Sequence, residues 1–267
     1  SASIKELESL LEAGLVDRTK RSVVLTPIGL ETVSRARRIL GDIEELATAV
    51  RASREPLTGT VRMGVVPTIG PYLLPRLLPG LRRTYKQLKL YLLEDLTPRL
   101  IEALHGGKLD VVLLALPYDC GAVETSILFE DRFFMALPKD HSLANEDSIK
   151  ANQLGCEDLL LLKDGHCLRE HRPAISPPGA TASTLVQMVD NGLGTTLLPA
   201  LAVEAGLLRG TGLLTRPFVS DSPARQIGLV WRKGTGRRHE FLLLAKELTN
   251  RSVKRQISRP QKGSLVG

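Results

Sequence analysis

The run Asp164-Gly165-His166-Cys167-Leu168-Arg169 sets a cysteine directly after a histidine and two residues before an arginine. Nearby positive charge favours the thiolate over the neutral thiol, and the thiolate is the form that reacts with oxidants and electrophiles. Cys167 is therefore a candidate redox or nucleophilic centre, with His166 and Arg169 as the groups that tune it. The competing reading is an inert, buried cysteine, since unpaired cysteines are commonly core residues. Thr68 and Thr97 each follow another apolar run, as Cys167 follows Leu159 to Leu162. A threonine hydroxyl both donates and accepts hydrogen bonds, so either could serve a reacting thiol, but threonines at strand ends also cap helices.

The chain that must position these residues has 267 residues, 43% of them hydrophobic, which is enough for two or three modest domains. No run approaches the roughly 18 apolar residues of a membrane span, and no signal-peptide pattern opens the sequence, so the cytoplasm is the expected location and no membrane partner is expected. Three cysteines, Cys120, Cys156 and Cys167, are too few for a disulfide framework and lack zinc-ligand spacing. No metal or cofactor is expected. The net charge is +7 and the pI about 9.5. Residues 251–267 hold Arg251, Lys254, Arg255, Arg259 and Lys262 with no acid, which reads as a basic, solvated tail and makes the global charge weak evidence for nucleic acid.

Periodicity then divides the chain. Ile4, Leu7, Leu10 and Leu11 predict a helix over 1–13, and Leu15 to Thr26 a two-stranded segment with Arg18, Thr19, Lys20 and Arg21 at its tip. Thr26 and Pro27 form an N-cap and first-turn proline for a second helix over about 27–54. Val33, Ala36, Leu40, Ile43, Ala47 and Val50 recur there at alternating three- and four-residue steps, a narrow stripe suited to a partner helix and hence to dimerisation. Packing of that stripe on the chain's own body is the competing reading. Residues 54–59 break the helix as a hinge. Beyond Thr60, short apolar strands alternate with helices in two sets, which implies two α/β lobes, each expected to hold a parallel sheet. Ligands of open α/β sheets bind beyond the carboxyl ends of strands, where Thr68, Thr97 and Cys167 fall.

This organisation resembles the LysR-type bacterial transcriptional regulators. Ser3-Ile4-x-x-Leu7-Glu8, Asp17-Arg18-Thr19 and Leu25-Thr26-x-x-Gly29 look like the second half of that family's winged helix-turn-helix, whose first helices lie some tens of residues earlier. Leu11 stands where the family usually has a glycine. Four further motifs, in order, are similar to the family's peroxide-sensing members: Val66-Pro67-Thr68-Ile69-Gly70-Pro71-Tyr72-Leu73-Leu74-Pro75, Gly107-Lys108-Leu109-Asp110, residues 164–169, and Thr196-Leu197-Leu198-Pro199-Ala200-Leu201-Ala202-Val203.

The resemblance implies a partial DNA-binding domain at 1–26, a dimerisation helix and hinge at 27–57, a first regulatory lobe at 58–130 plus 227–250, a second at 131–226, and the basic tail at 251–267. The two lobes are of the periplasmic-binding-protein-like kind. Cys167 resembles the peroxidatic cysteine, oxidised by hydrogen peroxide to a sulfenic acid and then a disulfide, with Thr68, Thr97, His166 and Arg169 around it. Ser1, Ser3, Lys5, Arg18, Lys20 and Arg21 would face double-stranded promoter DNA, in a homodimer or homotetramer that meets RNA polymerase. No cysteine follows Cys167, where the family places a resolving one. Neither Cys120 nor Cys156 is expected to resolve it, so the native chain is expected to hold a further cysteine near residues 170–172. Two alternatives stay open: a LysR-type regulator sensing a small metabolite between the lobes with Cys167 inert, and a cysteine-dependent peroxidase or hydrolase.

Overall fold

A computed structural model describes residues 2–18, 22–52, 56–150, 153, 159–161, 181–219 and 223–257. The N-terminal unit is a helix, α1 (Ala2–Leu10), and a small antiparallel pair, β1 (Val16–Arg18) and β2 (Val23–Leu25). Glu8 ties them together: its Oε1 accepts the amide N–H groups of Leu15 at 2.8 Å and Val16 at 3.1 Å. Thr26 then caps α2 (Pro27–Ala52), its Oγ1 accepting from the Gly29 amide at 3.0 Å, with Pro27 in the first turn as its fixed φ favours.

The remainder is built on one eight-stranded sheet. β3 (Gly59–Val65), α3 (Gly70–Thr84), β4 (Leu88–Glu94), α4 (Thr97–His105) and β5 (Val111–Leu116) form the first lobe, with β4 and β5 both parallel to β3. β6 (Val123–Leu137) then crosses into the second lobe, which holds β7 (Leu159–Leu160), α5 (Ala182–Asp190), β8 (Thr195–Pro199), α6 (Ala200–Ala205) and β9 (Leu214–Arg216). β10 (Ala224–Arg232) returns, and α7 (Arg238–Ile257) closes the chain over the first lobe. The strand order is β4-β3-β5-β10-β6-β8-β7, with β9 beside β6.

The expected parallel sheets are in fact one mixed sheet. β10 is antiparallel to both β5 and β6, and β6 is antiparallel to β8 and β9. A strand that re-enters from the other lobe arrives at the opposite end of the sheet, so it needs no crossover helix to pair. Hydrophobic burial follows the two lobes. Met63, Ile69, Leu100, Leu113, Trp231 and Phe241 belong to the core of the first, whereas Phe133, Met135, Leu137, Leu159, Leu197 and Phe218 belong to that of the second. The tail expected from residue 251 onward is also revised, because residues 251–257 continue α7. Among the described residues, no helix is long and apolar enough to cross a membrane.

Candidate functional site

The carboxyl ends of the parallel strands in both lobes converge on one seam. β6 leaves β10 at Arg132, opposite Ala224, and joins β8 at Phe133, opposite Pro199; the Phe133 amide donates to the Pro223 carbonyl at 2.9 Å. β5 ends opposite Gln226, and β3 and β4 end alongside it. On the far side, Leu160 is level with Thr196 in the parallel β7–β8 pair, so β7 runs toward the level of Pro199 and the same seam. This is the position at which an open α/β fold binds small molecules.

A buried ion pair spans the seam. Arg225, on β10, donates from Nε and Nη2 to Asp131 Oδ2 on β6 at 3.0 and 2.9 Å, and both side chains are 1% exposed. The same guanidinium reaches the loop after β3, with Nη1 donating to Thr68 Oγ1 at 2.9 Å and Nη2 to the Thr68 carbonyl at 3.0 Å. Asp131 Oδ1 accepts the Leu201 amide of α6 at 3.0 Å, which ties the second lobe into the network. Burial pushes the Asp131 carboxyl above its ordinary value, and Arg225 and the Leu201 amide act against that rise. Removal of either partner alone would strand a buried charge, a loss of about 3–5 kcal/mol. Phe133 lies beneath the guanidinium at 5.6 Å, and an exposed bridge from Arg76 on α3 to Glu204 on α6 closes the seam at 3.3 Å.

Thr68 is held so that it can donate. Because Oγ1 accepts from Arg225, the hydroxyl proton remains available to a neighbour on the seam side. Thr68 does not cap α3, whose N-cap is Ile69, and Thr97 is not the cap of α4, whose N-cap is Leu96. Neither threonine is therefore a helix cap, although Thr68 lies in the turn between β3 and α3. Thr97 is buried at the start of α4, three residues past the end of β4, as Thr68 lies three past the end of β3. Tyr72 and Glu94 share this rim: burial raises the tyrosine's pKa most, Glu94 adds to the rise, and Arg225 opposes it.

The model of the LysR substrate binding domain matches residues 54–252. The chain belongs to the LysR-type transcriptional regulators. It is 37% identical to a probable hydrogen peroxide-inducible genes activator of Streptomyces viridosporus, over 93% of this chain and 83% of that protein. The Escherichia coli K12 DNA-binding transcriptional dual regulator OxyR is likewise 37% identical, over 94% of this chain and 85% of its own length. Among solved structures, a full-length OxyR variant from Pseudomonas aeruginosa superposes with a TM-score of 0.79 at 32% identity, covering 92% of this chain and 83% of that one. These LysR-type relatives are named as regulators and activators, so the cysteine-enzyme alternative is set aside.

Not every residue expected in this LysR-type site is described. His166, Cys167 and Arg169 lie outside the described residues, as do Ser1, Lys20, Arg21 and Cys156. Ser3 and Lys5 are exposed on α1, and Arg18 is exposed on β1. Along α2, Val33 is half-buried, Ala36 is exposed, and Leu40 and Ile43 are 61% and 59% exposed; the side chains of Ala47 and Val50 are outside the description. Cys120 is buried in the core of the first lobe, its carbonyl bound by His105 Nε2 at 2.8 Å near the end of α4 opposite the seam. Arg225 and Asp131 escaped sequence reasoning. The signal was an arginine and a glutamine opening an otherwise apolar strand, Ala224 to Trp231, but only folding reveals a partner 94 residues away.

Proposed function

We propose that this protein is a peroxide-responsive DNA-binding transcriptional regulator in which hydrogen peroxide oxidises Cys167. The observation that carries this reading is the convergence of strand ends on a seam that holds Thr68 as a spare donor and toward which β7 runs. The thiolate sulfur attacks one peroxide oxygen and the O–O bond breaks. Sulfur is oxidised to the sulfenic acid and peroxide is reduced; the departing hydroxide takes up a proton and leaves as water. Thr68 and Thr97 hydrogen-bond the peroxide, while His166 and Arg169 favour the thiolate.

The sulfenic acid then condenses with a second thiol to a disulfide, and the lobes repack. Cys120 is a poor partner, because a disulfide needs α-carbons within about 7 Å and this residue is buried at the far end of the first lobe. Ser1, Ser3 and Lys5 sit at the major groove, with Arg18, Lys20 and Arg21 near phosphates. The exposed seam of Leu40 and Ile43 supports pairing of α2 with a second copy, and a dimer of dimers then recruits RNA polymerase as an activator. The small-metabolite alternative has less support, since Arg225, the buried cation of the seam, is already committed to Asp131 and Thr68.

Dimedone trapping after a short peroxide pulse, read by mass spectrometry, tests the chemistry. A sulfenate adduct should form on Cys167 and on neither Cys120 nor Cys156; labelling of Cys120 or Cys156 in place of Cys167 would contradict the assignment.

A further inference from the structure

The first lobe carries a cationic edge that the peroxide chemistry does not use. From Pro71 to Leu93 the sequence holds five cations, Arg76, Arg82, Arg83, Lys86 and Lys89, and no carboxylate. Arg76 is engaged by Glu204 at the seam. The other four lie at the opposite end, on the last turn of α3, the turn that follows it and the start of β4, and all four are exposed. None of them forms an ion pair among the described residues. The C-terminal part of α7 meets the same corner: Arg251 Nη2 donates to Thr84 Oγ1 at 2.9 Å, and its carboxylate partner is Glu247 on its own helix. Lys254 and Arg255 follow one turn later in the helix, and no acid follows Glu247.

Two arginines in the last turn of α3 would suit the negative end of the helix dipole. That does not account for Lys86 and Lys89, which lie beyond the helix. Their position is the informative part. The Gly59 amide, where the chain enters the lobe from α2, donates to the Gln87 carbonyl at 3.0 Å, and Thr60 pairs with Lys89. Gly107, in the loop before β5 with φ +71°, lies so close to α2 that an added Cβ would stand 3.4 Å from the Arg38 α-carbon. The cationic corner thus shares the edge of the lobe along which α2 lies. From Arg38 back to Pro27, where the winged unit begins, is about 16 Å of helix.

We infer that this edge is a second DNA-contacting surface, on which Arg82, Arg83, Lys86 and Lys89 neutralise backbone phosphates flanking the sequence read by the winged unit. Duplex DNA presents a negative charge about every 1.7 Å of axis, which matches a row of unpaired cations without needing base-specific geometry. This rests on the DNA-binding reading above. Phosphate neutralisation of this kind strengthens binding on any flanking sequence and weakens steeply with salt.

The test compares the full-length protein with its Arg82→Gln/Arg83→Gln/Lys86→Gln/Lys89→Gln variant on two operator fragments, one ending at the half-sites and one extended by about 20 base pairs on each side, across a salt series. A second variant neutralises four exposed cations away from this edge, Arg99, Arg132, Lys139 and Lys150. The unsubstituted protein must bind both fragments; if it binds neither, the DNA-binding reading itself is wrong. On the extended fragment, the slope of log K against log salt should become shallower in the first variant by about 0.9 for each phosphate that is no longer neutralised, while its slope on the short fragment and both slopes of the second variant stay unchanged. An unaltered slope on the extended fragment overturns the inference. So does altered sedimentation of the first variant with normal salt dependence, which would make the edge a protein interface.

Discussion

The residue that organises the seam is Arg225. With Nε and Nη2 on Asp131 and Nη1 on Thr68, it occupies an acceptor site of the Thr68 hydroxyl and leaves the hydroxyl proton free to donate. Thr68→Val keeps the shape of the side chain and removes its donor. Oxidation of Cys167 in that variant should slow by about tenfold or more if the hydroxyl assists the departing oxygen, as stopped-flow measurement of the thiol would show. A rate equal to that of the unsubstituted protein would reduce Thr68 to a structural partner of Arg225. Thr68, Thr97 and Cys167 were legible as residues at the ends of apolar runs. The ion pair was not, because no spacing along a chain relates β6 to β10; the buried charges become partners only when the second lobe has folded back on the first.

At the scale of elements, legibility followed the strength of the local signal. Thr26-Pro27 marked the start of α2 because a hydroxyl cap and a fixed φ act within one turn. β6 was read only over its last five residues. Its first part alternates exposed and partly buried positions on the face of the sheet, and Glu124, Ser126, Glu130 and Asp131 conceal the apolar period. The direction of β10 was equally hidden, since the same Ile-Gly-Leu-Val-Trp run serves a parallel or an antiparallel strand. For α2, the stripe is regular, with Leu40 and Ile43 facing outward and Val33 half-buried. If α2 pairs with a second copy as proposed, Leu40→Glu with Ile43→Glu should leave a monomer in analytical ultracentrifugation, because carboxylates would be forced together in a paired seam. A sedimentation coefficient unchanged from that of the unsubstituted protein would mean that the stripe has another role.

At the scale of the whole molecule, the proposed peroxide site and the route to DNA lie at opposite edges of the first lobe. The seam gathers the carboxyl ends of the parallel strands, whereas α2 and the route to the winged unit lie along the amino edge. If peroxide is sensed at the seam as proposed, the change has to reach DNA through the sheet and the packing of the two lobes, where the Arg76–Glu204 bridge joins α3 to α6. The two-lobed plan was legible in the alternation of strands and helices, and the order of motifs extended it to a family. The mixed sheet and the continuation of α7 through residues 251–257 were not legible, as both depend on where distant segments return. DNase I footprinting of the full-length protein on its operator, before and after peroxide, probes the coupling of thiol to DNA most directly. Peroxide sensing at Cys167 predicts a shifted footprint for the unsubstituted protein and an unshifted one, with binding retained, for Cys167→Ser. A Cys167→Ser protein whose footprint still shifts with peroxide would contradict it.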